Sequence, residues 1–130
     1  MRSLRILASI ACLSCPWLAC REPAAPAPPE CPDGVAVVVT EPPGGPEFSW
    51  TPACPVGLLM VSTGDSGWEA LADSNRILPP VRYGRQPAGS QSPLEPSAPP
   101  LAHGDTCTVS VARWYSSGLY QQVARLTFVY

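Results

Sequence analysis

From residue 35 onward, short runs in which apolar and polar residues alternate are separated by groups of Pro, Gly, Asp and Ser. Alternation with a period of two residues is typical of strands that bury one face of a sheet. The pattern predicts seven strands, at residues 35–40, 48–50, 58–62, 68–71, 77–83, 106–114 and 122–130. Short strands joined by turns in this way indicate an all-β domain, a single antiparallel β-sandwich of about seven strands.

The last two segments alternate most clearly, and they supply much of the predicted core. In residues 106–114 the cysteine and the valines at odd positions share one face, opposite the Thr and Ser side chains at even positions. Residues 122–130 place Ala, Leu, Phe and Tyr together on one face in the same way. The residues predicted to form the core are Trp50, Val109, Val111, Leu126 and Phe128.

The first residues follow a different pattern, which predicts a targeting segment. Arg2 and Arg5 precede an apolar segment at residues 6–18. That segment is too short to cross a bilayer core of about 30 Å but has the length of a secretory signal. Residues 1–19 are therefore predicted to be a cleaved signal peptide. A buried N-terminal helix is a weaker alternative, because Pro16 would break it.

Residues 17–20, Trp-Leu-Ala-Cys, resemble the lipobox of bacterial lipoproteins, in which the lipidated cysteine follows a small residue and aliphatic residues. The resemblance implies cleavage before Cys20 and its acylation, and stable anchoring needs more than one acyl chain. Trp17 departs from the pattern, which usually has Leu there. Cys12 and Cys15 compete for the same role, and a signal peptide without lipid is a further alternative.

The lipobox resemblance also implies a location, the bacterial cell envelope, with the membrane as a partner through the lipid anchor. In proteobacterial sorting an Asp after the lipidated cysteine retains the protein in the inner membrane. Arg21 occupies that position here, which favours the outer membrane.

Residues 20–30 join this anchor to the alternating region and consist mainly of Pro and Ala. Such a sequence buries too little apolar surface to offset its ordering entropy. Proline-rich chains adopt an extended helix with a rise of about 3.1 Å per residue, which gives a semi-rigid spacer of roughly 30 Å. The predicted organisation is thus an anchor and linker at residues 20–30 and one domain at residues 31–130.

Two stretches of that domain, residues 46–52 and 101–111, resemble fibronectin type III domains. Residues 46–52, Pro-Glu-Phe-Ser-Trp-Thr-Pro, are similar to the family's second strand, which carries a buried Trp. Residues 101–111 are similar to the beginning of its sixth strand, although Cys107 replaces the family's corner Tyr. The resemblance implies a fibronectin type III-like or immunoglobulin-like sandwich. The Pro/Ser-rich connection at residues 84–104 is unusually long, and loops of that length are usually functional or disordered.

Three cysteines remain in the predicted domain, Cys31, Cys54 and Cys107. In an alternating sandwich the first two lie at the same end, so in an oxidising compartment they are predicted to form a disulfide. Cys107 belongs to the opposite end, beyond the Cα–Cα distance that a disulfide allows, and is predicted to be a buried free thiol. A Cys54–Cys107 bond and the absence of any disulfide are the alternatives.

The sequence contains few residues that could serve in catalysis or metal binding. Catalysis needs a base close to its partner, but His103 is the only histidine and lies in a predicted turn. The Gly-Asp-Ser-Gly sequence at residues 64–67 has the composition of an ordinary turn. We therefore expect no enzyme, no cofactor and, without closely spaced cysteines, no metal site. A hydrolase that uses Ser66 or His103 is the alternative, and it requires both residues to meet in a pocket.

The charge of the chain argues against nucleic acid as a partner. The formal net charge is −2, and all eight basic residues are arginines spread along the sequence. Nucleic-acid-binding proteins instead concentrate positive charge in a patch or run.

The best candidate for a binding surface is an aromatic hairpin at residues 113–120, with its turn at residues 116–118. It places Trp114, Tyr115 and Tyr120 at a loop end, where sandwiches commonly bind, and Trp and Tyr often anchor interfaces. The partner would be a protein or glycan at the cell surface. In the alternative, Trp114 and Tyr120 pair across the hairpin and cover the core. The protein would then be a structural component of the envelope without a soluble ligand.

Overall fold

The computed structural model describes Pro26 and residues 29–91, 98–116 and 118–130. The predicted signal peptide, Cys20 and most of the linker lie outside the described residues. Within these ranges the chain forms seven strands and no helix. The strands are β1 (Ala36–Thr40), β2 (Glu47–Thr51), β3 (Leu58–Thr63), β4 (Ser66–Leu71), β5 (Val81–Arg82), β6 (Thr106–Ser116) and β7 (Leu119–Val129).

The strands form two antiparallel sheets, one in the order β1-β2-β5 and the other in the order β4-β3-β6-β7. Their buried side chains form one hydrophobic cluster, to which both sheets contribute. The prediction of an all-β, antiparallel fold is confirmed, and the two sheets are consistent with a sandwich. No described segment is a helix long and apolar enough to cross a bilayer.

The predicted strand at residues 77–83 is the least accurate of the seven. Only Val81–Arg82 pairs as a strand, while Ile77 forms an isolated bridge with Val56. Pro79 and Pro80 separate the two short pieces. Proline has no N–H to donate to a sheet, so this segment cannot continue as a strand between them.

The predicted core residues lie in or against the core, but not all are buried equally. Trp50, Val109 and Val111 are buried, whereas Leu126 and Phe128 are half-buried and pack against the cluster. Phe128 contacts the ring of Phe48 edge to face, with 5.8 Å between the ring centroids.

Leu126 and Phe128 lie on β7, the edge strand of the larger sheet, and a β-bulge interrupts the alternation further along that strand. Val111 pairs with Ala124 and Ala112 pairs with Gln122, so Val123 is an extra residue in β7. Val123 is buried, and its carbonyl accepts a hydrogen bond from the amide of Val35. The bulge therefore changes which residues of β7 face the core, and it ties the start of β1 to the edge of the larger sheet.

The two ends of the sandwich differ in their cysteines, and we name them accordingly. The Cys31 end holds the Cys31–Cys54 disulfide, with 5.1 Å between the Cα atoms, as predicted. Cys107 is a buried free thiol at the far end of β6, which we call the Cys107 end. The β6–β7 turn lies at the Cys31 end, where the predicted linker would join the domain.

Candidate binding groove at the Cys31 end

The aromatic hairpin projects from the Cys31 end, because β6 continues past its pairing with β3. The β3–β6 ladder ends where Leu58 pairs with Ala112, while β6 runs on to Ser116. Trp114 and Tyr120 are opposite each other, and Tyr115 is an extra residue in β6 at a second irregularity in the register. The structure therefore separates the three predicted aromatic residues. Trp114 and Tyr120 are half-buried and line a groove, whereas Tyr115 is 69% exposed outside it.

Two neighbours hold Trp114 in this position. The side-chain amide of Asn75 donates to the Trp114 carbonyl at 3.0 Å, and its oxygen accepts from the Trp114 amide at 2.6 Å. Asn75 thus forms the backbone hydrogen bonds with Trp114 that β3 would form if it began earlier in the chain. Gly57 lies directly against Trp114, since a Cβ at position 57 would be 2.7 Å from the Trp114 Cβ.

Tyr120 is fixed by its hydroxyl group, which donates a hydrogen bond of 2.8 Å to the carbonyl of Ala72. Burial raises the pKa of Tyr120, and the negative charges of Asp73 and Glu69 raise it further. The hydroxyl therefore stays protonated at neutral pH and remains a donor to Ala72. The ring of Tyr120 lines the groove.

The groove next to these two rings has a volume of about 640 Å³. One wall is the hairpin, a second is the end of β4 with the turn after it, and a third is the long connection that begins at residue 84. The lining residues are Leu71, Ala72, Asp73, Arg76, Gly89, Ser90, Gln91, Trp114, Gly118 and Tyr120.

The third wall is held against β4 by backbone pairing. Gln91 accepts from the Leu71 amide at 2.8 Å and donates to the Leu71 carbonyl at 2.7 Å. The side chain of Gln86 donates to the Glu69 carbonyl at 3.2 Å. The described first part of the long connection therefore covers the edge of β4 and shapes the groove. Residues 92–97 of the connection lie outside the described residues.

The groove combines aromatic surface with polar groups of balanced charge. Arg76 forms an exposed ion pair with Asp73 at 3.8 Å, and the Gln91 side chain is exposed beside them. A ligand that meets this surface needs an apolar face for Trp114 and hydroxyl or amide groups for the polar rim. Sequence reasoning found the two rings, but Arg76, Asn75 and Gln91 belong to no motif and were missed.

The residues considered for catalysis lie outside the groove. Ser66 is exposed in the β3–β4 hairpin, and His103 is exposed and stacked on Tyr130, with 4.8 Å between the ring centroids. Neither residue lines the groove. Among the residues that the structure describes, no group of three His, Cys, Asp or Glu side chains is arranged to hold a metal ion.

A second groove, of about 550 Å³, lies at the Cys107 end beside Tyr83 and Tyr130. The Tyr83 hydroxyl donates to the Pro99 carbonyl at 2.7 Å, and burial, with a contribution from Cys107, raises the pKa of Tyr83 to about 12. Burial also raises the pKa of the Cys107 thiol, which therefore behaves as a small apolar side chain at neutral pH. Tyr83 thus supplies a hydroxyl-to-backbone hydrogen bond at the Cys107 end.

Comparison of this chain with protein-family models, with curated proteins and with solved structures found no match. Of the two grooves, the one at the Cys31 end combines a Trp ring with exposed hydrogen-bonding side chains, and we take it as the candidate binding site.

Proposed function

We propose that this chain is a lipid-anchored protein of the bacterial cell envelope, whose non-catalytic sandwich binds a short glycan at the Cys31 end. The sorting residue Arg21 favours the outer membrane as its location. The single observation that supports glycan binding is the groove beside Trp114 and Tyr120. The sequence of the N-terminal segment, which ends in Cys20, supports the lipid anchor. The fibronectin type III resemblance is supported by Trp50, which is buried on the second strand.

The shape of the groove favours a glycan over a protein partner. Small-ligand sites are concave and usually measure about 300–1,000 Å³, and this groove falls within that range. A stable protein interface instead buries about 800 Å² on each partner. A sugar ring offers an apolar face to Trp114 and hydroxyl groups to Arg76 and Gln91.

The groove also lacks the arrangement that nucleophilic catalysis requires. Its one serine, Ser90, directs its hydroxyl toward the Pro87 carbonyl at 2.7 Å and the Gln86 side chain at 2.9 Å. Its one acidic residue, Asp73, is ion-paired with Arg76. A serine nucleophile needs a neighbouring base to activate it, and none of the residues lining the groove takes that role.

One observation favours the second candidate, a structural envelope component without a soluble ligand. Trp114 is bonded to Asn75 through its backbone and Tyr120 to Ala72 through its hydroxyl group, so both residues also fix the hairpin against the turn after β4. The two candidates differ in a single measurable property. The glycan-binding protein requires the exposed side chains of the groove, and the structural component does not.

Glycan binding is tested with the mature protein, using N-acetylglucosamine tetrasaccharide and a peptidoglycan disaccharide-peptide as probes in isothermal titration calorimetry. Arg76→Ala and Gln91→Ala each remove a hydrogen-bonding side chain without touching the Gln91 backbone pairing. A hydrogen bond contributes about 0.5–1.5 kcal/mol, so each variant is expected to raise Kd by about 2- to 10-fold.

Arg125→Ala is the matched control for these two variants, because Arg125 is exposed on β7 and does not line the groove. Its Kd should equal that of the wild type. If neither saccharide binds the wild-type protein, the structural component is the better description. An unchanged Kd in both Arg76→Ala and Gln91→Ala would place the site elsewhere.

The anchor is tested by labelling cells with palmitate and measuring the mass of the membrane-extracted protein. We expect acylation of the wild type, and loss of both label and membrane association in Cys20→Ala. Cys15→Ala is the matched control and should retain both. Label that persists in Cys20→Ala would move the attachment to Cys15 or Cys12, and an unlabelled wild type would contradict a lipid anchor.

A further inference from the structure

We propose that the tip of the β6–β7 hairpin, formed by Tyr115 and Leu119, rests in the headgroup region of the membrane that holds the anchor. The inference depends on the proposed lipid attachment at Cys20. Tyr115 and Leu119 do not line the groove, so they are free to contact lipid. This contact would place the groove beside the membrane.

The start of the domain, at Cys31, is bound to both strands of the hairpin. Cys31 is bonded to Cys54, and its carbonyl accepts a hydrogen bond of 2.8 Å from Arg113 of β6. Arg113 also forms an ion pair of 2.6 Å with Asp33 and a hydrogen bond of 3.0 Å with Gln121 of β7. Both strands of the hairpin are therefore tied to the start of the domain.

The short linker between Cys20 and Cys31 keeps the Cys31 end close to the membrane. Cys20 and Cys31 are eleven positions apart in the sequence, so even a fully extended chain separates them by no more than about 40 Å. A linker attached to the membrane at one point can tilt toward the surface, so the domain can approach more closely than this length. The part of the domain that approaches first is the Cys31 end, which carries the hairpin tip.

The side chains of the hairpin tip are apolar or amphipathic and uncharged. Tyr115 is 69% exposed and Leu119 is 62% exposed, on either side of the same turn. Residues 114–120 include no charged side chain, and the nearest charge on β6, Arg113, is already paired with Asp33. Tyr is enriched at membrane–water interfaces, because its ring enters the apolar side while its hydroxyl stays hydrated.

The small size of the tip favours a lipid surface over a protein. A specific protein interface should bury more than about 1,000 Å² in total, which two side chains cannot supply. A domain that is already anchored needs little further affinity, because the anchor holds the tip at a high effective concentration near the membrane. Two apolar side chains are sufficient under those conditions.

The test uses the mature, lipidated protein in phosphatidylethanolamine/phosphatidylglycerol vesicles, with and without phospholipids brominated near the headgroup. Tyr115→Trp places a fluorescent reporter at the tip, and Val129→Trp places one at the Cys107 end. Both positions are exposed in the wild type, at 69% and 64%, so the two variants are matched. The wild type supplies the background from Trp50, Trp68 and Trp114.

We expect brominated lipid to quench the added fluorescence of Tyr115→Trp and to leave that of Val129→Trp unchanged. Adding Leu119→Ser to Tyr115→Trp should reduce the quenching. Equal quenching of the two reporters, or none in either, overturns the inference. The mass of the same sample separates the two proposals. A protein without acyl chains contradicts the anchor, whereas a lipidated protein with an unquenched tip contradicts only the membrane contact.

Discussion

At the scale of single residues, Gly57 allows β3 to approach β6 where Trp114 enters the groove. A Cβ at position 57 would lie 2.7 Å from the Trp114 Cβ and 2.8 Å from its backbone nitrogen, so one of the two chains would have to move. Overpacking of this kind typically costs about 1–3 kcal/mol. We therefore expect Gly57→Ala to lower the free energy of unfolding by that amount in urea denaturation followed by Trp fluorescence.

Gly34→Ala is the matched control for this prediction, since a Cβ at Gly34 would meet no atom within 4 Å. Its effect on the free energy of unfolding should stay within about 0.5 kcal/mol. Similar losses in both variants would mean that the contact with Trp114 is not what requires glycine at position 57.

Burial of single residues could be predicted from the sequence where the strand register is regular. Alternation identified Val109 and Val111 as core residues, and both are fully buried. It placed Ser110 on the polar face, yet that side chain is only 8% exposed. Alternation also assumes that no residue is inserted, so it missed the extra residue Val123, whose bulge changes the face that β7 presents to the core.

At the scale of elements, the β6–β7 hairpin depends on the side chain of Asn75, which forms the backbone hydrogen bonds that a neighbouring strand would otherwise form. Asn75 both donates to and accepts from the backbone of Trp114. Asn75→Asp keeps the shape and the acceptor but loses the donor, leaving the Trp114 carbonyl without this partner. An unsatisfied buried group costs about 1–3 kcal/mol, and we expect the lower part of that range because the site is half-buried.

Two measurements check the role of Asn75, urea denaturation and hydrogen exchange of the hairpin amides. In Asn75→Asp we expect faster exchange in the hairpin than in the β3–β4 ladder. Ser74→Ala is the control, because Ser74 bonds only the exposed side chain of Asp73. Unchanged hairpin exchange in Asn75→Asp would show that Asn75 is dispensable for the position of Trp114.

The groove itself was largely beyond sequence reasoning, for a physical reason. Its walls come from three separate parts of the chain, and contacts such as Tyr120 to Ala72 join residues 48 positions apart. Periodicity reports which face of a strand is buried, but it does not report which loop packs against which hairpin. The rings of Trp114 and Tyr120 were identifiable because the two residues are close in the sequence. Gln91 and Arg76 are distant from them in the sequence, and only the fold brings them to the same groove.

At the scale of the whole molecule, the order of strands made one long-range contact predictable. If strands alternate in direction, the start of β1 and the β2–β3 connection lie at the same end, which places Cys31 beside Cys54 and away from Cys107. This inference needed only the direction of each strand and not its register. It is therefore less sensitive to bulges than the prediction of single buried residues.

The disulfide should make a substantial contribution to the stability of the domain. It joins residues with a sequence separation of 23, and closing a loop of about this size contributes about 3 kcal/mol in the loop-entropy model. The double variant Cys31→Ala/Cys54→Ala is expected to lose about that much free energy of unfolding in urea. Dithiothreitol should destabilise the wild type by a similar amount and leave the double variant unchanged. A double variant that still responds to dithiothreitol would reveal a bond through Cys107, and a double variant as stable as the wild type would show that burial alone holds the start of the domain against β6.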